Sequence, residues 1–159
     1  MPLFLSTYLN KVDKKGRVSV PAPFRAALEE TEKFQGIVAF RSHRKPAIEG
    51  WGIGQMERIS LHMDEMDLFS DVREDVSVAL FAQAQPLAFD PEGRILLTQD
   101  LLNHAHIEGS ALFAGKGSTF QIWNPAHFQA YEKEASSKLK AHLDSLNIKL
   151  HRSEGGRHG

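Results

Sequence analysis

Short runs in which apolar and polar residues alternate, separated by turn residues, dominate the first third of the chain. Val18 and Val20 alternate with Arg17 and Ser19, the two-residue period of a strand that turns both valines inward. A run from Thr7 to Val12 precedes it, and the two are joined by a turn that Asp13 opens and Gly16 closes, a type I signature. Gly tolerates the positive φ that closes such hairpins as a bulge, and Asp holds the turn by accepting nearby backbone N–H groups. Pro21 ends the strand, and Pro23 fits the first turn of a short helix carrying Phe24 and Leu28. A buried strand is predicted over Gly36–Phe40. A basic loop over Arg41–Gly50 follows, running into Ile48, Trp51 and Ile53, and then a helix over Gln55–Met66. Ser70–Gln83 predicts another helix, with Ser70 as N-cap and Val72, Val76, Ala79 and Leu80 on one stripe.

The same order of elements then returns. Asp90-Pro91-Glu92-Gly93-Arg94 repeats Asp13-Lys14-Lys15-Gly16-Arg17, with Asp, Gly and Arg in register at a shift of 77 residues. The second copy lies between the apolar stretch Pro86–Phe89 and the strand Ile95–Leu97, and a short helix over Leu101–Ala105 follows. Gly109–Phe113, a loop at Gly115–Ser118 and Phe120–Trp123 match the strands of the first half, with Trp51 falling on Trp123 at a shift of 72. The first half therefore carries about five extra loop residues, the basic ones. A helix over Pro125–Leu143 places Phe128, Tyr131, Ala135 and Leu139 near helical spacing, so one face of it is expected to be buried. One half-domain has been duplicated, and the two halves are expected to pack as a pseudo-dimer. The polar, Gly-rich stretch 151–159 is expected to be disordered.

Charge changes this picture more than composition does. At 159 residues and 42% apolar content the chain can bury the core of a single domain. No apolar run is long enough to span a membrane, and the start Met-Pro-Leu-Phe-Leu-Ser has no basic segment of a signal peptide. The absence of Cys excludes disulfides, thiolate metal sites and a Cys nucleophile, which suits a cytoplasmic location. The net charge of −1 hides an excess of nine Lys/Arg over five Asp/Glu in residues 1–50, against three and ten in residues 51–100. The basic excess surrounds the first turn, at Lys11, Lys14, Lys15, Arg17 and Arg25, and a second cluster follows at Arg41, Arg44 and Lys45. A localised basic face is the footprint of a DNA-binding domain.

Catalytic chemistry is not indicated. The chain has no His-Glu-x-x-His, no phosphate-binding Gly loop, no Gly-x-Ser-x-Gly and no carboxylate pair with a partnered His, so no enzyme, cofactor or metal site is expected. His104 and His106 are two residues apart at a helix end and do not share a face. The acidic residues from Asp64 to Asp75 read as a solvated helix face. Asp13, Gly16, Asp90, Gly93 and Arg94 read as structural residues of the two turns. Each Arg faces outward, where it can brace its own Asp. The first motif carries a local charge of +2 and the second −1, so the first is the copy expected to meet phosphate. Leu96 faces outward, which suggests that the second copy is covered, as by a neighbouring subunit.

The stretch Tyr8-Leu9-Asn10-Lys11-Val12-Asp13-Lys14-Lys15-Gly16-Arg17-Val18-Ser19-Val20-Pro21, taken with Phe89-Asp90-Pro91-Glu92-Gly93-Arg94-Ile95, resembles the signature of the MraZ family, over about residues 3–145. The resemblance implies an α+β fold of the AbrB-like, SpoVT-AbrB superfamily kind: a double-split, swapped-hairpin β-barrel built from two internal repeats, with flanking helices. Repeat 1 would span 5–53, a helical connector 54–82, repeat 2 83–126 and a C-terminal helix 127–150, all within one pseudo-dimeric domain over 1–159. The implied function is a cytoplasmic, nucleoid-associated transcriptional regulator that represses the division and cell-wall gene cluster, including its own gene. Such proteins act as ring-shaped homo-oligomers on repeated promoter boxes. Lys14, Lys15 and Arg17 would then reach phosphates and base edges, while Lys11 and Arg25 position the backbone. The alternative is an antitoxin-like module that binds a protein partner. The family's Leu-Tyr-Pro before the first terminal helix is replaced here by Gly50-Trp51-Gly52-Ile53-Gly54, for which a looser loop is expected.

Overall fold

In the computed structural model the strands of the two halves pair with each other rather than among themselves. The structure describes residues 1–158, with side-chain surroundings given through residue 146. The expectation of a disordered tail over 151–159 therefore falls outside the fully described residues. The first half contains β1 (Thr7–Lys11), β2 (Arg17–Ser19), α1 (Ala22–Thr31), β3 (Gly36–Arg41), β4 (Ala47–Trp51) and α2 (Ile53–Asp64). A connector of α3 (Asp71–Val76) and a π-helical turn (Ser77–Phe81) leads to the second half. There, β5 (Gln85–Ala88), β6 (Arg94–Leu96), α4 (Gln99–Ala105), β7 (Ser110–Gly115) and β8 (Phe120–Trp123) repeat the order, and α5 (Pro125–His158) follows. Residues 1–125 form one compact unit and residues 126–158 belong to a second.

Six strands make one antiparallel sheet in the order β1-β7-β8-β4-β3-β5, and β2 pairs with β6 in a separate ribbon. Exchanging each strand for its repeat partner (β1 for β5, β3 for β7, β4 for β8) turns that order into its own reverse. The fold thus has an internal two-fold relation, as the duplication predicts. The register locates the axis. Val18 pairs with Ile95, its own equivalent at the shift of 77, and Glu49 pairs with Gln121, its equivalent at the shift of 72. The first strand of each half is donated to the other, β1 to β7 and β5 to β3. Among the described residues no closed barrel is found: β1 and β5 are the two ends of the six-stranded sheet.

Alternation sets which residues are buried. Val18, Val20, Ile95 and Leu97 are each 1% exposed and join Phe24, Leu28, Ile37, Ile48, Phe113, Phe120 and Ile122 in the main core. Phe24 on α1 packs edge-on against Phe4 at 5.2 Å and Tyr8 at 5.5 Å, and lies 5.0 Å from Phe120 of the other half. These offset and edge contacts are the favoured ones for aromatic rings. A second cluster, of Val38, Phe40 and Met56 with Trp51, Leu80 and Phe81 against it, lies under α2 and the π-helical turn.

Four local expectations change. The predicted basic loop Arg41–Gly50 is shorter, because Ala47 and Ile48 are wholly buried and start β4. The stretch Gly50–Gly54 is not loose: only Gly52 separates β4 from α2, and the Glu32 carboxylate accepts the Gly54 N–H at 3.2 Å, capping the helix from the end of α1. The helix predicted over Ser70–Gln83 does start at Ser70, whose hydroxyl accepts the Arg73 N–H. It passes into the π-helical turn after Val76, and Val72 of its predicted stripe is 58% exposed. On α5, Phe128 and Tyr131 are half-buried, but Ala135 is exposed and Leu139 is 52% exposed, so the predicted buried face does not extend past Tyr131.

Candidate nucleic-acid interface

The two Asp-x-x-Gly-Arg motifs form turns of matching geometry. In the first, Asp13 Oδ1 accepts the backbone N–H groups of Lys15 and Arg17, each at 2.9 Å, and Oδ2 accepts Arg17 Nε at 2.7 Å. In the second, Asp90 Oδ1 accepts the N–H groups of Glu92 and Arg94, each at 2.9 Å, and Oδ2 accepts Arg94 Nε at 2.8 Å. In both, the Gly N–H returns to the Asp carbonyl, at 3.0 Å for Gly16 and 2.9 Å for Gly93. One short acidic side chain therefore satisfies three donors and fixes the Arg that follows. These bonds favour the ionised form, led by the backbone N–H of Arg17 and of Arg94, and hold both carboxyls below the ordinary value of 3.8.

Glycine is required where each turn closes. Gly16 has φ +91° and Gly93 φ +78°. A Cβ on Gly16 would stand 2.6 Å from the carbonyl oxygen of Leu97, on the other half. A Cβ on Gly93 would meet the Arg25 guanidinium at 2.5 Å. The turns are stitched across the axis by two equivalent bonds, Leu97 N–H to Gly16 O at 2.9 Å and Val20 N–H to Gly93 O at 3.1 Å.

Chemically the two turns differ. Lys11, Lys14 and Lys15 are exposed around the first, and Arg17 is half-exposed, with Asp13 as its only ion-pair partner among the described residues. Pro91 and Glu92 occupy the corresponding tip of the second, and Arg94 pairs there with both Asp90 and Glu92, the latter at 3.5 Å. The structure brings Lys14, Lys15 and Arg17 onto one turn, with Lys11 on the strand that enters it. Arg25 is placed elsewhere. Its Nε donates to the Val20 carbonyl at 3.0 Å and its guanidinium covers Gly93, so it belongs to the second turn. The residue that covers Gly16 is Leu102, its equivalent at the shift of 77.

In the other basic cluster, Arg41 is tied to its surroundings. Arg41 donates to Gln83, His43 Nε2 lies 3.1 Å from the Ala79 carbonyl, and His104 Nε2 lies 3.2 Å from the Lys45 carbonyl. Among the described residues, no group of three His, Asp or Glu is placed to hold a metal ion, and no helix is long and apolar enough to cross a membrane. Sequence reasoning missed the buried polar relay on the second axis pair. Trp123 Nε1 donates to Gln121 at 2.9 Å, and Gln121 Nε2 donates to Glu49 at 2.6 Å. The shift of 72 was the signal available for it, since it sets Glu49 and Gln121 in equivalent places.

Comparison with known proteins matches the chain, over residues 3–75 and 80–147, to the model of a family described as "MraZ protein, putative antitoxin-like". Among curated relatives, a protein of Rickettsia rickettsii is 44% identical over 94% of this chain and 98% of its own length. One of Pelagibacter ubique is 40% identical over 94% and 96%, and one of Rickettsia typhi 46% identical over 82% and 87%. Each of the three is named a transcriptional regulator, MraZ.

Proposed function

The chain belongs to the MraZ family, and on that premise we propose that it is a sequence-specific DNA-binding transcriptional regulator that reads double-stranded promoter DNA through its first turn. The observation that carries this reading is the first turn itself. Two exposed lysines at the tip of the turn precede an arginine that Asp13 holds by its Nε, so positive charge is presented on a rigid support. Lys14 and Lys15 meet phosphates, and Arg17 reaches a guanine edge in the major groove. Lys11 positions the DNA backbone. Arg25, engaged at Nε by Val20, contributes from the second turn and more weakly.

One turn offers few phosphate contacts. Several copies in a ring-shaped homo-oligomer would engage a series of short boxes, each later contact being intramolecular. As read here, the protein represses the division and cell-wall gene cluster, including its own gene, and works in the cytoplasm at the nucleoid. The exchange of β1 and β5 between halves supports grouping it with the swapped-hairpin, AbrB-like DNA binders. The domain limits read from the sequence, repeats at 5–53 and 83–126 around the connector 54–82, go with this proposal. No arrangement for catalysis enters it, and the relatives are named as regulators.

A gel-shift titration on the DNA upstream of its own gene, at two salt concentrations, tests the reading. Specific binding that weakens steeply with salt and is lost in Arg17→Ala, with the oligomer intact, is expected. Normal promoter binding by Arg17→Ala would refute the assignment. An absence of binding above random DNA would favour the antitoxin-like, partner-binding alternative.

A further inference from the structure

One side chain on the outward face of the β2–β6 ribbon has no part in the reading above. Leu96 is 52% exposed, between Ile95 and Leu97 at 1% each. In the register it stands directly opposite Arg17. The bonds Leu97 N–H to Gly16 O and Val20 N–H to Gly93 O bracket the ribbon. They make Arg17–Leu96 and Ser19–Arg94 the non-hydrogen-bonded pairs, in which Cα atoms stand only about 4.5 Å apart. An apolar group therefore projects beside the guanidinium on the same face.

The placement is not shared by the two halves. The shift of 77 sets Ser19 where Leu96 stands, and Ser19 lies opposite Arg94. Leucine thus accompanies the arginine of the lysine-flanked turn. Serine accompanies the arginine that Asp90 and Glu92 both hold.

We infer that Leu96 is a specificity-determining residue of the DNA interface, which packs on the C5-methyl group of a thymine next to the base that Arg17 reads. A two-stranded ribbon fits the major groove, and the thymine methyl is the apolar feature displayed there. The inference rests on the proposed DNA binding through the first turn. The competing use of an exposed leucine is an assembly contact, and the experiment separates the two.

The test uses the full-length protein and the promoter DNA upstream of its own gene, with each thymine replaced in turn by deoxyuridine, which removes only the methyl. The wild type should lose about fourfold in affinity at one thymine, the effect of one buried methyl-sized group. Leu96→Ala should bind unmodified DNA more weakly by a similar or larger factor and be indifferent to that replacement, with its subunit number unchanged in sedimentation. Three results overturn the inference while leaving DNA binding standing. They are a wild type indifferent to every uracil, a Leu96→Ala variant as sensitive as the wild type, and a variant with altered subunit number. Failure of the wild type to bind unmodified promoter DNA above random DNA would overturn the DNA reading and this inference together.

Discussion

Replacing Gly16 by Ala should destabilise the protein well beyond the cost of its backbone angle, and Gly117 supplies the reference. Both glycines have nearly the same φ, +91° and +88°. A residue with a Cβ held there costs about 1–3 kcal/mol at either site. At Gly117 nothing lies within 4 Å of the added Cβ, so the angle is the whole penalty. At Gly16 the Cβ would stand 2.6 Å from the Leu97 carbonyl oxygen, which is backbone and cannot swing aside. Relief requires the two strands to part, and that breaks the 2.9 Å bond from Leu97 N–H to Gly16 O. Leaving a buried backbone group unpaired adds about 1–3 kcal/mol. With a urea m-value of about 2 kcal/mol per molar, Gly16→Ala should unfold roughly 0.5–1.5 M earlier than Gly117→Ala. The comparison is made at one protomer concentration, because assembly stabilises by mass action. Equal midpoints for the two variants would refute the argument, showing that Gly16 serves its turn angle alone and that the contact across the axis yields freely.

Three further outcomes are expected. The lowered carboxyls of Asp13 and Asp90 contribute stability that is complete above the ordinary value near 3.8. That contribution is lost as pH falls through the depressed values, so the double variant Asp13→Asn, Asp90→Asn should show a Tm with a flatter acid limb than the wild type below about pH 4. Arg25→Leu, which places the Leu102 side chain type on the second turn, should fold normally. It should weaken binding about equally on all sequences and lower the slope of log affinity against log salt by at most about 1, as measured by salt titration. Gln121→Leu removes the amide that donates to the Glu49 carboxylate from a buried position, and chemical denaturation should show a loss of about 1–3 kcal/mol.

The elements and the duplication were legible because each rests on local chemistry. The Asp and Gly of each turn, the alternation through Val18 and Val20, and Ser70 at a helix start all appear where the pattern sets them. Pairing was harder to read. Nothing in the residues of β1 says that its partner is β7 rather than a strand of its own half, because a strand pattern records a face and not a neighbour. The site residues share that limit. Arg25 stands eight residues after Arg17 and joins the first basic cluster in sequence, yet the pairing of β2 with β6 sets the start of α1 beside the second turn. Arg41–Gly50 was read by its charges, whereas the wholly buried Ala47 and Ile48 decide that its end is a strand.

Carrying both halves in one chain has a physical consequence at the axis. Two identical chains related by a two-fold must place a residue opposite itself wherever the axis crosses a ladder. At the position of Glu49 and Gln121 that would set two carboxylates or two amides face to face, and like charges directly opposite are destabilising. The fused chain instead sets a carboxylate against an amide, which donates to it at 2.6 Å. The same freedom acts on the outward ribbon. Identical halves would carry two equal turns, and a site built from them would read both half-sites alike. Here Lys14 and Lys15 face Pro91 and Glu92 across the relation, Leu102 answers Arg25, and Leu96 answers Ser19. The scaffold keeps its symmetry in the buried pair Val18 and Ile95, where packing needs it. It abandons symmetry in the side chains that face outward: the first turn keeps an excess of positive charge, whereas in the second Asp90 and Glu92 both pair with Arg94.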